Sequence, residues 1–245
     1  MSGALLVALL AAVLAGAVAG LTGFGLALIS TPILLFAYEP RTVVAVTAVL
    51  SIFINVAVVW DSWREAYTRL ALFLLVPATA GIFAGAAVLG AVDPDLLRIG
   101  VGVLVVVSAL LLVREVRLPA ADTSYGAAAA GAASGFLSTS TGLAGPPVVM
   151  LLVARRLPKH AFRATTAFYF LPMSVIAAVV LYWQGLVREG EIPLALVLVP
   201  VAVLGKWLGT RLLERVSEDA FRLLALGLTA ATGILGVATA AWAFL

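Results

Sequence analysis

Two short segments of this sequence combine hydroxyl side chains with glycine and proline. The first runs from Gly20 to Pro32 and the second from Gly135 to Pro147, and both lie inside long apolar stretches. Glycine and proline interrupt helices. The N-terminus of a half-helix then carries about half a positive charge together with free N–H groups. Hydroxyls beside such helix ends suit an oxyanion, so these segments predict anion binding.

We expect the two interruptions to meet near the middle of a membrane and to hold the anion between them. Two polar residues of later apolar stretches complete the predicted site. The candidate substrate-binding residues are Gly20, Thr22, Gly23, Gly25, Thr31, Pro32, Asn55, Gly135, Ser138, Thr139, Ser140, Thr141, Gly142, Pro147 and Thr165. The alternative for each hydroxyl is structural, because Ser and Thr in membrane helices also bond to their own carbonyls or join neighbouring helices.

Acidic side chains and histidine, the usual proton relays and cation ligands, are absent from the middle of the apolar stretches. Cation transport is therefore disfavoured. A membrane enzyme acting on lipid phosphate would need a general base or metal ligands at the same depth, so it is a weaker alternative. With no cysteine in the chain, we predict no catalytic residue, no metal and no cofactor. An anion channel would share every one of these features and stays an open alternative.

The composition is that of a membrane protein. Of 245 residues, 64% are apolar and 11% charged, against roughly 45–50% and 25% in soluble domains. Most uncharged runs reach the roughly 17–25 residues that cross a bilayer as a helix, and they lack the alternating polarity of β-barrel strands. The 15 Lys and Arg are scattered between the runs, which argues against a nucleic-acid partner. We therefore predict an all-α polytopic protein whose partners are the lipid bilayer and a small anion.

Landmarks that recur in constant order indicate an internal duplication. The Gly16-x3-Gly20 pattern aligns with Gly131-x3-Gly135 at an offset of 115, which also superposes Pro32 on Pro147. Further along, the Gly81-x3-Gly85 and Gly205-x3-Gly209 patterns match at an offset of 124. We expect these later glycines to mark close helix packing within the subunit; a homodimer contact is the less favoured reading. The predicted organisation is a first half at 1–113, a polar linker at 114–124 and a second half at 125–245.

Each half opens with a segment that is too long for one span. As a straight helix, residues 3–38 would measure about 54 Å against a hydrocarbon core of about 30 Å. An interruption is therefore predicted there and at 125–154. Three ordinary spans follow each segment, at 41–60, 69–90 and 95–113 in the first half and at 161–184, 191–213 and 219–244 in the second.

The distribution of basic residues favours inverted halves. If each interrupted segment turns back as a re-entrant hairpin, twelve Lys and Arg share one face and three the other. If each segment crosses once, the halves are parallel and the split is ten against five. The positive-inside rule prefers the stronger bias, with both termini outside the cytoplasm.

The pattern G-x3-G-x2-G-x-G-x6-P of Gly16 to Pro32, with its second copy at Gly131 to Pro147, resembles the sulfite exporter TauE/SafE family. The resemblance covers nearly the whole chain. It implies a transporter of sulfite, sulfonates or related organic anions in the bacterial cytoplasmic membrane. In the alignment, the second copy has Ser138 and Ser140 where Gly23 and Gly25 stand, a departure that bears on the size and polarity of the pocket.

Overall fold

A computed structural model describes residues 3–93, 96, 122–221, 223, 224 and 227. Helices dominate this part of the chain, and it contains no strand. The all-α prediction is confirmed. The predicted spans at 95–113 and 219–244, and the linker at 114–124, lie almost wholly outside the described residues.

The described helices follow the predicted order. They are α1 (Gly3–Thr22), α2 (Leu26–Leu34), α3 (Pro40–Ser62), α4 (Thr68–Ala91), α5 (Ser124–Ser140), α6 (Gly145–Ala154), α7 (Lys159–Trp183) and α8 (Glu191–Leu213). A 3₁₀ turn at Trp63–Glu65 continues α3. Five of these helices, α1, α3, α4, α7 and α8, are long and apolar enough to cross a membrane.

The exterior of the described helices is apolar. Large side chains such as Leu72, Val76 and Leu204 are more than half exposed. Exposed aromatic residues stand at helix ends, with Trp60 at the end of α3 and Trp183 at the end of α7. Lipid-facing surfaces bounded by aromatic side chains have this pattern.

Both long opening segments are interrupted, each at a Thr-Gly turn. Between α1 and α2, Gly23 has a φ of 77°, and between α5 and α6, Gly142 has the same value. Thr22 Oγ1 accepts from the N–H of Phe24 at 3.3 Å, and Thr141 Oγ1 accepts from Leu143 at 3.3 Å. Each of these hydroxyls donates to the carbonyl four residues earlier, at 2.8 Å. Only glycine adopts this φ without strain, so the two turns are built alike.

The structural match between the turns differs from the sequence alignment. Gly23 corresponds to Gly142, an offset of 119, and not to Ser138 as the offset of 115 implied. The shift is four residues, about one helical turn. Gly16 and Gly20 are four residues apart, as are Gly131 and Gly135, so slipping the alignment by one turn still superposes a glycine, Gly16, on a glycine, Gly135.

Close helix pairs connect the N-terminal and C-terminal parts of the chain. Helix α1 packs along α8, and α5 packs along α4. Glycines form both contacts, because a β-carbon at any of them would overlap a backbone carbonyl of the facing helix. These glycines are Gly16, Gly20, Gly205 and Gly209 in the first pair and Gly81, Gly85, Gly131 and Gly135 in the second. The predicted close packing within the subunit is confirmed.

The glycine contacts also fix the relative direction of the paired helices. Gly16 faces Ala202 and Gly20 faces Lys206, so the contacts advance in the same direction along α1 and α8. Gly131 faces Leu74 and Gly135 faces Ala78 in the same way. Both pairs are therefore parallel. Helices α3 and α7 pack against each other between them.

Contacts outside the helix pairs define two ends of the bundle. At the first, called the Glu39 end, Arg188 pairs with Glu39 at 3.0 Å, Thr42 donates to Glu191 at 2.7 Å and Arg41 donates to the carbonyl of Gly90 at 3.1 Å. This end collects the start of α3, the end of α4 and the start of α8.

At the opposite end, called the Lys159 end, Lys159 Nζ donates to the carbonyl of Leu213 at 3.3 Å. The N–H of Tyr67 donates to Thr165 Oγ1 at 2.9 Å, and Arg155 donates to the carbonyl of Thr123 at 3.5 Å. This end collects the starts of α4, α5 and α7 and the ends of α6 and α8.

Replacing Gly85 with Ala should destabilise the protein, because the new methyl group would overlap the carbonyl of Phe136 on α5. Overpacking of this kind costs about 1–3 kcal/mol. Gly90→Ala in the same helix is the matched control, since its β-carbon would make only an ordinary contact at 3.6 Å with Leu186. Thermal unfolding in detergent should show a lower midpoint for Gly85→Ala alone; equal midpoints for the two variants would contradict the packing.

Candidate functional site

A small cavity lies where the two interruptions meet α3 and α7. Its volume is about 50 Å³. This volume is the space open to the centre of a water-sized sphere, and one water needs roughly 10–15 Å³ of it. A few waters, or an ion of four or five heavy atoms, would therefore fill the cavity. The lining residues are Ala19, Phe24, Gly25, Leu26, Ala27, Leu28, Thr47, Ala48, Ser51, Asn55, Ser138, Gly142, Ala144, Gly145, Phe170, Met173 and Ser174.

The N-terminus of α2 forms one wall of this cavity. Gly25 is the N-cap residue, with a φ of 92°, and its carbonyl accepts the first helical hydrogen bond, from Ile29 at 3.0 Å. The N–H groups of Leu26, Ala27 and Leu28, which lie before that bond, have no acceptor within the helix. All three residues line the cavity. They provide backbone donors and the positive end of a helix dipole.

The N-terminus of α6 reaches the same cavity but offers fewer donors. Gly145 lines it, and Pro146 and Pro147 follow directly. Proline has no N–H, so two of the donors that a first helical turn normally presents are missing here. The two helix ends are therefore unequal, and α2 is the stronger anion-binding end.

Polar side chains supply the rest of the cavity's hydrogen-bonding groups. Thr47, Ser51 and Asn55 follow one another at intervals of four residues along one face of α3, while Ser174 on α7 and Ser138 on α5 lie on other walls. Asn55 is 7% exposed. None of the described lining residues is charged. The described lining thus combines uncharged polar groups with a larger apolar surface, to which Phe24, Phe170 and Met173 contribute.

Four of the predicted site residues line this cavity: Gly25, Asn55, Ser138 and Gly142. The lining residues Thr47, Ser51 and Ser174 were not predicted. The spacing of Thr47, Ser51 and Asn55 places them on one helical face, and this stripe is a signal by which the first two could have been found.

Several other predicted residues form the framework around the cavity. Thr22 and Thr141 close the two turns, and Gly20 and Gly135 pack against α8 and α4. Gly23 packs against α7, where a β-carbon would overlap the carbonyl of Arg163. These positions determine where the cavity walls lie.

The remaining predicted hydroxyls on α5 and α7 make local or interhelical bonds. Thr139 donates to the carbonyl of Ile82 at 2.8 Å, which joins α5 to α4. Ser140 donates to Phe136 in its own helix at 2.7 Å. Thr165 accepts from the N–H of Tyr67. These are the structural roles that serine and threonine commonly have in membrane helices.

Three predicted residues of α2 and α6 do not line the cavity. Thr31 and Pro32 are buried in the last turns of α2. Pro147 belongs to the first turn of α6.

A buried charged cluster holds the C-terminus of α1. Arg163 of α7 is 4% exposed and donates through Nε to the carbonyl of Gly20 at 2.7 Å. Its guanidinium also donates to Thr210 at 3.0 Å and lies 3.9 Å from Asp61. Lys206 forms an ion pair with the same carboxylate. Cations at a helix C-terminus stabilise its partial negative charge. The sequence had assigned Arg163 only to the basic face.

A bundle of membrane-spanning helices that encloses a small polar cavity between two interrupted helices has the architecture of a multi-pass transporter. The chain belongs to the sulfite exporter TauE/SafE family, whose sequence model matches residues 8–235. The family resemblance read from the glycine pattern is thereby confirmed. Searches of curated proteins and of solved structures give no significant match.

Replacing Arg163 with Met should loosen the first interruption, because the buried carbonyl of Gly20 would lose its charged donor. The hydroxyl of Thr210, which lies 3.4 Å from this carbonyl, would remain as a weaker donor, so we expect the loss of the charged hydrogen bond to cost about 1.5–3 kcal/mol. Arg69→Met, at an exposed position in the first turn of α4, removes the same charge and is the control. We expect a lower thermal midpoint in detergent for Arg163→Met only, and an unchanged midpoint would show that the cluster does not support α1.

Proposed function

We propose that this protein transports a small sulfur oxyanion, such as sulfite or a sulfonate, across the bacterial cytoplasmic membrane. The observation that carries the proposal is the N-terminus of α2, whose first-turn residues have no acceptor for their N–H groups within the helix and line a cavity beside Asn55 and Ser138. Membership of the family supports the choice of sulfur anions.

The cavity's composition fits this class of ligand. Sulfite has four heavy atoms, which the volume of about 50 Å³ accommodates. Its oxygens would accept hydrogen bonds from the amides of α2 and from the hydroxyl and amide side chains. Of the sulfonates, one with a single carbon has five heavy atoms and matches this size, and its methyl group would lie against Phe170 and Met173, both of which line the cavity.

The proposal includes re-entrant segments and inverted halves. Helix α1 is parallel to α8, which starts at the Glu39 end, and α2 leads back to Glu39. Helix α5 starts at the Lys159 end, where Arg155 after α6 meets Thr123 before α5. These contacts favour one hairpin entering from each end of the bundle. The excess of basic residues on one face then assigns the Lys159 end to the cytoplasm.

The transport assay compares Ser138→Ala, which removes a lining hydroxyl, with Ser140→Ala, which removes one that bonds within α5. A hydrogen bond to a charged group is worth about 1.5–3 kcal/mol, so the KM for sulfite should rise about tenfold or more in Ser138→Ala alone. Uptake of radiolabelled sulfite, sulfate and a sulfonate into proteoliposomes measures this.

Two results of that assay decide between functions. Uptake that saturates, or that accumulates against the anion gradient when an ion gradient is imposed, identifies a carrier; uptake that neither saturates nor accumulates identifies a channel. No flux of any of these anions through folded protein would overturn the sulfur-anion proposal.

The direction of the second hairpin can be tested by cysteine labelling, because the chain has no cysteine. Tyr125→Cys and His160→Cys flank α5 and α6, and Gly190→Cys lies at the Glu39 end; all three positions are exposed. A membrane-impermeant maleimide applied to intact cells should label only Gly190→Cys. Permeabilised cells should show labelling of all three. If Tyr125→Cys and His160→Cys were labelled from opposite faces, the segment would cross and the halves would not be inverted.

A further inference from the structure

The hydroxyl of Thr31 is buried without a partner beside the cavity. Thr31 is 1% exposed, and its Oγ1 has no hydrogen-bond partner in the part of the chain that the structure describes. It does not donate to its own helix, although Ser30 next to it donates to the carbonyl of Leu26 at 2.7 Å. A buried hydroxyl without a partner costs free energy. Its persistence in this place points to a ligand.

A second hydroxyl oxygen lies close to the same point. A β-carbon built on Gly142 would stand 3.1 Å from Thr31 Oγ1 and 3.5 Å from Thr47 Oγ1. Thr47 donates its proton to the carbonyl of Val43 at 2.7 Å, so its lone pairs are free to face outward. Gly142 has no side chain to occupy this point, so two neutral oxygens converge on a space beside the end of α5.

The two interruptions differ in one neighbouring residue. The cationic residue Arg163 lies beside Gly23, whereas the apolar residue Val44 lies beside Gly142. A β-carbon on Gly23 would meet the backbone of Arg163 and the hydroxyl of Thr166. Around Gly142, the residues in these places are Val44, whose Cγ2 lies 3.8 Å away, and Thr47. The same offset of 119 relates Thr47 to Thr166 and Val44 to Arg163. Among the described residues, the C-terminus of α5 therefore has no counterpart at this position to the guanidinium that neutralises the C-terminus of α1.

We infer that the space between Thr31, Thr47 and the C-terminal turn of α5 binds a sodium ion. At the end of α5 the carbonyl of Leu137 already accepts from Thr141 and Leu143, whereas the carbonyls of residues 138–140 have no donor within the helix and carry its partial negative charge. The C-terminal ends of interrupted helices coordinate sodium in other transporters. Hydroxyl and carbonyl oxygens are hard, neutral ligands that suit a small monovalent cation. A proton is disfavoured as the occupant, because neither Thr31 nor Thr47 titrates.

The role that we infer for this sodium site, coupling to anion transport, rests on the proposed function. Thr47 and Gly142 belong both to the inferred sodium site and to the lining of the anion cavity. A cation there would lie next to an anion in a cavity whose described lining has no charged side chain. At low dielectric the two charges attract strongly, so each ion would raise the affinity for the other by the same factor. This reciprocity would couple anion transport to a sodium gradient.

The first test uses purified protein without any anion substrate, so it does not depend on transport. The thermal midpoint is measured in sodium chloride, potassium chloride and choline chloride at equal ionic strength, because a ligand that binds only the folded state raises the midpoint. Sodium alone should stabilise wild type. Thr31→Val, which removes the hydroxyl at nearly constant volume, should weaken the apparent sodium affinity about tenfold or more.

Two further variants act as controls. Thr31→Ser keeps the hydroxyl and should retain the sodium effect. Thr79→Val makes the same chemical change in α4, where the hydroxyl donates to Leu75 in its own helix at 3.0 Å, and should also retain it. Equal midpoints of wild type in the three salts, or equal sodium affinity in Thr31→Val and wild type, would overturn the inferred site.

The second test separates this inference from the proposed function. In proteoliposomes, an inward sodium gradient should drive accumulation of labelled sulfite by wild type and not by Thr31→Val. Sulfite flux that ignores sodium would overturn the coupling and leave the transporter standing. Stabilisation by sodium without flux of any sulfur anion would support the cation site and overturn the proposed substrate.

Discussion

The structure depends on one constraint, namely that backbone polar groups inside a membrane must find partners within the protein. Two interruptions at Gly23 and Gly142 expose such groups, and the chain satisfies several of them with nearby and distant side chains. The hydroxyls of Thr22 and Thr141 take one N–H each, and Arg163 takes the carbonyl of Gly20. The first-turn amides of α2 have no such partner in their helix, and they line the cavity. The candidate site thus lies where backbone N–H groups have no hydrogen-bond acceptor within their own helix.

Glycine contacts between helices determine where these N–H groups lie in the bundle. The eight glycines of the α1–α8 and α4–α5 pairs let the backbones touch, so that each interrupted segment packs along a helix from the other part of the chain. Because both turns depend on partners distant in sequence, the cavity forms only when the whole described bundle is assembled. A methyl group added at such a contact would overlap the facing backbone, so the contacts closely determine the position of the turns.

The two interruptions are alike in their turns and different in their chemistry. Prolines reduce the donors of α6, whereas α2 keeps all of its first-turn amides. Arg163 covers the end of α1, whereas Val44 stands near the end of α5. The similar turns give the bundle its paired design, and the substituted residues give the cavity a donor-rich wall on one side and an acceptor-rich corner on the other. Such an uneven distribution of charge suits oriented binding of small ions.

The sequence by itself determined the helical membrane class, the two interruptions, the close packing at glycines and the family, because these follow from apolar length, helix-breaking residues and short motifs. The tertiary structure decided the match between the turns, since glycines four residues apart align equally well after a slip of one turn. It also decided which hydroxyls face the cavity. Successive residues of a helix point about 100° apart, so Ser138 lines the cavity while Thr139 bonds to α4 and Ser140 to its own helix. Only the packed neighbours fix that rotation.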